Sequence, residues 1–437
     1  MAEMMIKKWH GERGEVAQEK RLETIDEMND PFARQKLITW WDQEKIGKAK
    51  IAVFGVGAIG NELVHNAALL GLKHIALFDL DRIELSNLSR TLLFRREDEG
   101  KKKAEVAAER ARELCLAEDP KIDWFCGDVM YELGSGIFRR FDIILGCLDN
   151  DATRFYIDKQ CTRFGKPWIN AAISELSVGL QLFYHKETGT CFHCGESHES
   201  IARVMSRKAS CGKTAIEELK SRKIPTVQVA SAIVAGMQAQ EAVKHICGKH
   251  VDWGKNYYYQ GSNNTFEVSR VRMDEHCMHN SFDVIENVLE LESITLQSTM
   301  RELLAEAKKL LGIVGLLTAD LSDEQGREYI KSAYCIYCRE EMPIRVPRYQ
   351  FRDEMAICES CKHDSERSDP DEPIVSSVYY FNEEETEAEI LDTTLGELGL
   401  PPLHVVRMLD EEENAYYVEM TGDLSRILPN IFSEKEE

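Results

Sequence analysis

The sequence contains no run of eighteen or more apolar residues, so it offers no candidate membrane span. Its opening stretch, MAEMMIKKWHGERGE, has no apolar h-region; secretory export is not expected, and a cytoplasmic location is. No G-x-x-x-x-G-K-[ST] occurs, which excludes a Walker-type phosphate loop. No internal repeat is visible, so a repeat architecture is not expected. Positive charge is scarce: 54 Lys and Arg face 76 Asp and Glu, a formal charge of −22. That balance argues against nonspecific nucleic-acid binding and suits a partner with a basic face. Part of the acid is local, in NEEETEAE at 382–389 and DEEEN at 410–414; both read as solvated loops.

What is present is a chain of 437 residues, long enough for two or three domains, with thirteen cysteines. Without an export signal those cysteines are expected to be reduced. Cys335, Cys338, Cys358 and Cys361 form a C-x2-C…C-x2-C, the spacing of a four-thiolate zinc ribbon. Cys191 and Cys194 form a further C-x2-C. Cys115, Cys126, Cys147, Cys161 and Cys247 fall in apolar strand or helix patterns, where burial and inertness are expected.

KAKIAVFGVG reads as a buried strand running into glycines, IGNELVHNAALLGL as a helix and HIALFDLD as the next strand. Together they form a strand–loop–helix–strand unit of a mostly parallel α/β sheet. DPFARQKLITWW before it reads as the start of an amphipathic helix, and KKKAEVAAERARELC after it as another helix. Strands are expected at IDWFCGD, FDIILGCLDN, PWINAAI, SVGLQLFYH, NYYYQG and NTFEVSRVR, and helices at ATRFYIDKQCTRFG and VQVASAIVAGMQAQEAVKHICG. Residues 285–311 look helical, HDSERSDPDEP reads as a linker, and VSSVYYF and NAYYVEM as strands.

Gly55, Gly57 and Gly60 make a G-x-G-x-x-G, which permits a tight turn and lets backbone amides approach an anion at a helix N-terminus. On its own this pattern fits several nucleotides. The residues after the second strand discriminate further. Asp79 stands where a ribose-binding acid is expected, but Asp81, Asn87, Arg90 and Lys103 follow. The cations suit a triphosphate better than a neutral nicotinamide.

LFDLDRIELSNLSR closely resembles the D-x-D-x-[IV]-x-x-S-N-L-x-R signature of the ThiF/MoeB/HesA adenylating enzymes, a superfamily that includes the ubiquitin-activating enzymes. The resemblance runs over about residues 30–275, from ARQ at Arg34 to IPTVQVASAIVAGMQAQEAVK, and includes CLDN at Asp149. It implies a Rossmann-like adenylation domain acting as a homodimer and joining the C-terminal carboxylate of a ubiquitin-like protein to AMP from ATP. It assigns Gly55, Gly57 and Gly60 to the nucleotide loop, Asp79 to the ribose, and Asn87, Arg90 and Lys103 to phosphates. Asp81 falls within the same binding signature. Asp149 is assigned to Mg²⁺, and Arg34 to the neighbouring subunit's site. Lys101 and Lys102 stand beside Lys103, so the register of the phosphate lysine stays open.

Family members place a reactive cysteine in the crossover segment, here about 195–225. Cys211, flanked by Arg207, Lys208 and Lys213, is the expected thioester acceptor, its thiolate favoured by the cations. The family also often carries a structural Zn²⁺. Cys191 and Cys194 with Cys277 and His279 would complete such a site, with His276 as the alternative to Cys277. The expected organisation is an arm at 1–30, the adenylation domain at 31–280, a helical connector at 281–330, a zinc ribbon at 331–366 and an α+β module at 370–437. Larger activating enzymes carry a ubiquitin-fold domain in that last place, which recruits a conjugating enzyme; a packing or dimerisation module is the alternative.

Activation of a ubiquitin-like protein with transfer to a conjugating enzyme is thus the leading expectation. Sulfur-carrier adenylation for thiamine or molybdopterin type biosynthesis is the alternative. From other classes come an NAD-dependent dehydrogenase, countered by the cations, and a non-catalytic scaffold, countered by the presence of Asp149, Arg90 and the glycines.

Overall fold

The computed structural model describes residues 29–196, 199, 201, 225–322, 327–361 and 374–432. A first sheet is built on β1 (Lys50–Phe54), β2 (His74–Phe78), β3 (Lys121–Phe125), β4 (Ile143–Gly146), β5 (Trp168–Ser174), β6 (Ser177–Phe183), β7 (Lys255–Gln260) and β8 (Thr265–Arg270). Their spatial order is β3-β2-β1-β4-β5-β6-β7-β8. The first five pair parallel and the rest antiparallel. β1, β2 and β4 are short apolar runs without alternation because both their faces are covered. β8 is exposed at every residue.

One face carries α1 (Gln43–Lys48), α2 (Ala58–Leu70), α3 (Lys103–Leu114) and α5 (Gln228–Ile246), closing a core around Val53, Leu77, Leu145 and Val234. The other face carries α4 (Asp151–Arg163), and here the last described part of the chain returns. Leu403, Leu428 and Ile431 pack with Phe54, Phe78, Phe138 and Phe141. Between β3 and β4 the described chain forms only a 3-10 turn, Ser135–Arg140, rather than a covering helix. The C-terminal segment covers the surface a full helix would have filled. Asp123 on β3, fully buried, fixes it by accepting from the Asn430 and Ile431 amides at 3.0 and 2.9 Å.

A second sheet joins β9 (Leu289–Leu291), β10 (Leu317–Asp320), β14 (Tyr380–Phe381), β15 (Val405–Asp410) and β16 (Ala415–Met420) in the order β14-β10-β15-β16-β9, against α6 (Met300–Leu311). A third contains β11 (Tyr329–Tyr334), β12 (Glu341–Pro347) and β13 (Ile374–Val378), in the order β12-β11-β13.

Three expectations change. Residues 281–330 are not a separate connector, since β9 and β10 share a sheet with β14, β15 and β16. The helix expected over 285–311 begins only at Met300, where Thr299 and Glu302 form a capping box, because Leu289–Leu291 pairs parallel with β16. The helix expected from DPFARQKLITWW is a single turn, Ala33–Lys36. No described helix is long and apolar enough to cross a membrane.

Candidate functional site

The strand order reverses between β1 and β4: the chain runs outward through β2 and β3, then crosses back to β4 and β5. In open α/β sheets such a reversal leaves a crevice beyond the strands' carboxyl ends. The glycine loop follows β1, Asp79 follows β2 and Asp149 follows β4, so three sequence candidates meet at this crevice.

The glycines have separate physical roles. Gly55 has φ +88°, and a Cβ there would lie 2.6 Å from the Cys147 carbonyl oxygen. At Gly60 a Cβ would strike the Gly55 carbonyl. These two glycines let β1, α2 and β4 close together. A Cβ on Gly57, the residue capping α2, would meet open space, so nothing in the protein crowds that side of the loop. Helix α2 therefore presents its N-terminus to the crevice.

Asp79 braces the loop from β2. Its carboxylate accepts from the Val56 amide at 2.6 Å and the Asp81 amide at 2.8 Å. Burial raises its pKa, opposed by nearby Lys103 and by those two amides. Lys103, the first residue of α3, is buried and its Nζ lies 2.8 Å from the Asp81 carboxylate. A backbone bridge between Arg82 and Lys102 holds the two ends of this excursion together. The neighbouring lysines point elsewhere: Lys101 pairs with Asp98 at 2.8 Å, and Lys102 Nζ stands 4.8 Å from the Trp124 ring centre.

Asn87 is buried and accepts from the Glu84 amide at 2.9 Å, closing a turn that carries Arg90. The Arg90 guanidinium donates to the Ser86 carbonyl at 2.6 Å. Asp149 is exposed on the turn before α4, whose cap is Asn150. Arg34 is exposed on its one-turn helix. Cys211, with Arg207, Lys208 and Lys213, lies outside the described residues.

Of the cysteines expected to be buried, Cys147 and Cys161 are, and burial pushes both thiols up. Cys115, Cys126 and Cys247 are only half-buried, because each lies just beyond an element's last residue rather than within it. Cys126, past β3, has its sulfur 3.7 Å from the Leu80 carbonyl oxygen.

Cys191, Cys194, Cys277 and His279 converge. From Cys191 Sγ the distances are 3.6 Å to Cys194 Sγ, 3.7 Å to Cys277 Sγ and 3.3 Å to His279 Nδ1. Tetrahedral zinc with Zn–S near ~2.3 Å sets sulfurs about 3.8 Å apart, so the set fits Zn²⁺. His276 is exposed and lies outside this group. Buried Asp158 on α4 anchors the knuckle, accepting from the Phe192 amide at 2.8 Å and lying 2.6 Å from His193 Nδ1.

In the second cluster Cys335 Sγ lies 3.8 Å from Cys361 Sγ, and Cys338 Sγ lies 3.6 Å from Cys358 Sγ. Amides of Cys338 and Tyr337 bring the Cys335 thiol down to about 6. Both clusters could hold zinc.

Sequence reasoning missed two buried carboxamides. Asn61 binds the glycine loop, and Gln238 on α5 donates to the Gly146 carbonyl at 3.1 Å and the Ile169 carbonyl at 2.8 Å. Their only sequence signal is a polar residue inside an apolar helical stretch.

The profile of the ThiF family matches residues 31–280, more than half of the chain. The chain belongs to the ThiF family. Over 152 residues it is 36% identical to SUMO-activating enzyme subunit 2 of Dictyostelium discoideum, covering 35% of this chain and 22% of that protein. It is 28% identical over 158 residues to the sulfur carrier protein adenylyltransferase of Thermus thermophilus, covering 35% of this chain and 57% of that one. Ubiquitin-like modifier-activating enzyme 5 of Oryza sativa subsp. japonica is 24% identical over 245 residues, 51% of this chain and 54% of that protein. The ThiF-family chain thus spans between 22% and 57% of these relatives' lengths. Among solved structures, Escherichia coli MccB with ATP overlays 58% of this chain and 75% of its own, at 22% identity and a TM-score of 0.47.

Proposed function

We propose that this ThiF-family chain adenylates the C-terminal carboxylate of a small ubiquitin-like protein with ATP. The observation that carries the reading is the meeting, at one strand-order reversal, of a glycine loop, the Asp79 acid and buried Lys103. A neutral nicotinamide has no use for that lysine; a triphosphate does.

In the proposed step a carboxylate oxygen attacks the α-phosphorus. The new O–P bond forms as the bond to the β-phosphate oxygen breaks, and pyrophosphate leaves with the electron pair. Two anions must approach, so the residues' task is to offset repulsion. Amides at the α2 N-terminus, Asn87, Arg90 and Lys103 hold phosphate oxygens, with Asp81 orienting Lys103. Asp79 takes the ribose hydroxyls. Asp149 would hold Mg²⁺, which when bound would neutralise phosphate charge. Arg34 would act in the site of a second copy, making the working unit a homodimer.

The Cys211 thiolate then attacks the acyl carbon. A C–S bond forms, the C–O bond to AMP breaks, and the thiol proton has already passed to solvent. A conjugating enzyme's thiol would accept the product, with residues 370–437 as its docking module. The two Zn²⁺ ions would be structural, one holding 191–194 to 277–279 and the other the ribbon.

Pyrophosphate–ATP exchange with candidate ubiquitin-like proteins tests the first step. A non-reducing gel tests the second: C211A should lose a thiol-labile adduct while keeping exchange. An adduct that persists in C211A removes Cys211 from the acceptor role. The similarity to a sulfur carrier adenylyltransferase favours a second reading, in which exchange occurs and no enzyme-bound thioester forms.

A further inference from the structure

Asn61 is the residue directly after the third glycine, and it is completely buried in α2. Its amide nitrogen donates to the Val56 carbonyl at 2.8 Å and the Gly57 carbonyl at 3.1 Å. Its carbonyl oxygen accepts from the Leu93 amide at 2.9 Å. One side chain thus holds two parts of the crevice that are more than thirty residues apart in sequence.

Each contact has a consequence. Val56 is fixed through both of its backbone groups, its amide on Asp79 and its carbonyl on Asn61. With the loop carbonyls drawn inward, the amides at the start of α2 are left to face the open side at Gly57. Leu93 follows the turn on which Asn87 receives the Glu84 amide and Arg90 holds the Ser86 carbonyl. Anchoring Leu93 therefore sets the distance between loop amides and the Arg90 guanidinium. A hydrophobic residue of similar size would fill the space and leave two buried backbone groups, the Val56 carbonyl and the Leu93 amide, without this partner, so volume alone does not account for an asparagine.

We propose that Asn61 is a positioning residue that sets the register between the glycine loop and the Arg90 turn, and so determines how tightly the phosphates of ATP are held. This rests on the adenylation reading, and it extends that reading to a residue that touches no substrate. The role falls mainly on the phosphates, since Asp79, the ribose acid, is also held by the Asp81 amide, which Asn61 does not contact.

The test is calorimetric titration of the full chain with Mg–ATP, and with adenosine by competition, in wild type and N61S. N61S should bind ATP about tenfold more weakly, an effect of the size one lost buried hydrogen bond produces, with adenosine affinity within twofold and zinc content unchanged. Equal loss of ATP and adenosine would mean a general structural role and overturn the proposal, as would unaltered ATP affinity. Should N61S fail to fold, N61D keeps the acceptor for Leu93 while losing both donations, and the same comparison applies. Wild type that binds neither ligand refutes the adenylation reading itself, a result distinct from wild-type binding that N61S leaves untouched.

Discussion

Three consecutive lysines lead into α3, and only their surroundings tell them apart. Lys101 is paired to Asp98, Lys102 lies against Trp124, and Lys103 is turned inward onto Asp81 beside Asp79. Spacing alone left the register open because all three are one residue apart and equally charged. K103A should lower pyrophosphate exchange by about a hundredfold, in the range seen when one donor to a developing charge is removed. K101A and K102A should stay within about twofold. Equal effects at all three positions would show that the lysines act only through general charge. The same contrast separates Cys277 from His276. Sequence offered both, and folding buries Cys277 against Cys191 while leaving His276 in solvent. C277S should reduce bound zinc by about one ion per chain, measured by atomic emission, and H276A should leave it unchanged.

At the scale of elements, the parallel half of the first sheet was legible because its strands are apolar runs punctuated by glycines, and α1 and α4 start at capping residues, Asp42 and Asn150. The ribbon cysteines were legible by spacing, and the four sulfurs do converge. β9 was not. Its three residues sit inside a pattern that scans as helix, and only pairing with β16, more than a hundred residues later, makes them a strand. The ribbon lies between β10 and β14, strands of one sheet, so its closure should support that sheet. C358S should release about one zinc and lower the melting temperature measurably, and should leave pyrophosphate exchange within about threefold, since the described contacts of its cluster's sulfurs are with one another and with Glu340. Loss of exchange equal to that of K103A would place the ribbon in the chemistry.

Across the whole molecule, the C-terminal part is welded to the first sheet. Gly134 and Gly136 donate to the Pro402 and Leu403 carbonyls at 2.8 and 2.9 Å. Buried Glu419 on β16 meets Arg140 at 2.7 Å and Arg139 at 3.2 Å, and Glu290 joins them through Arg139 at 2.8 Å. Sequence could not reveal this because each contact joins residues more than 150 positions apart. Burial raises the Glu419 pKa against the pull of the two arginines. Sign follows from linkage: the folded state holds the Glu419 proton more tightly than the unfolded state. Its contribution to stability therefore falls as pH rises from the ordinary carboxylate value through the raised one. Urea midpoints from pH 4.5 upward should show E419Q lacking that decline. Removing residues 424–437 strips Leu428 and Ile431 from the second core, at about 1.5–3 kcal/mol for each side chain. The truncated chain should unfold at lower urea, and an unchanged midpoint would show the tail to be dispensable. The central claim, that the crevice at the β1–β4 reversal activates a carboxylate with ATP, is tested most directly by pyrophosphate–ATP exchange with candidate ubiquitin-like proteins bearing a free or an amidated C-terminus. Exchange with the free carboxylate, lost on amidation and in D149A, is the predicted result. Exchange indifferent to amidation, or none while NAD binds in the crevice, would contradict it.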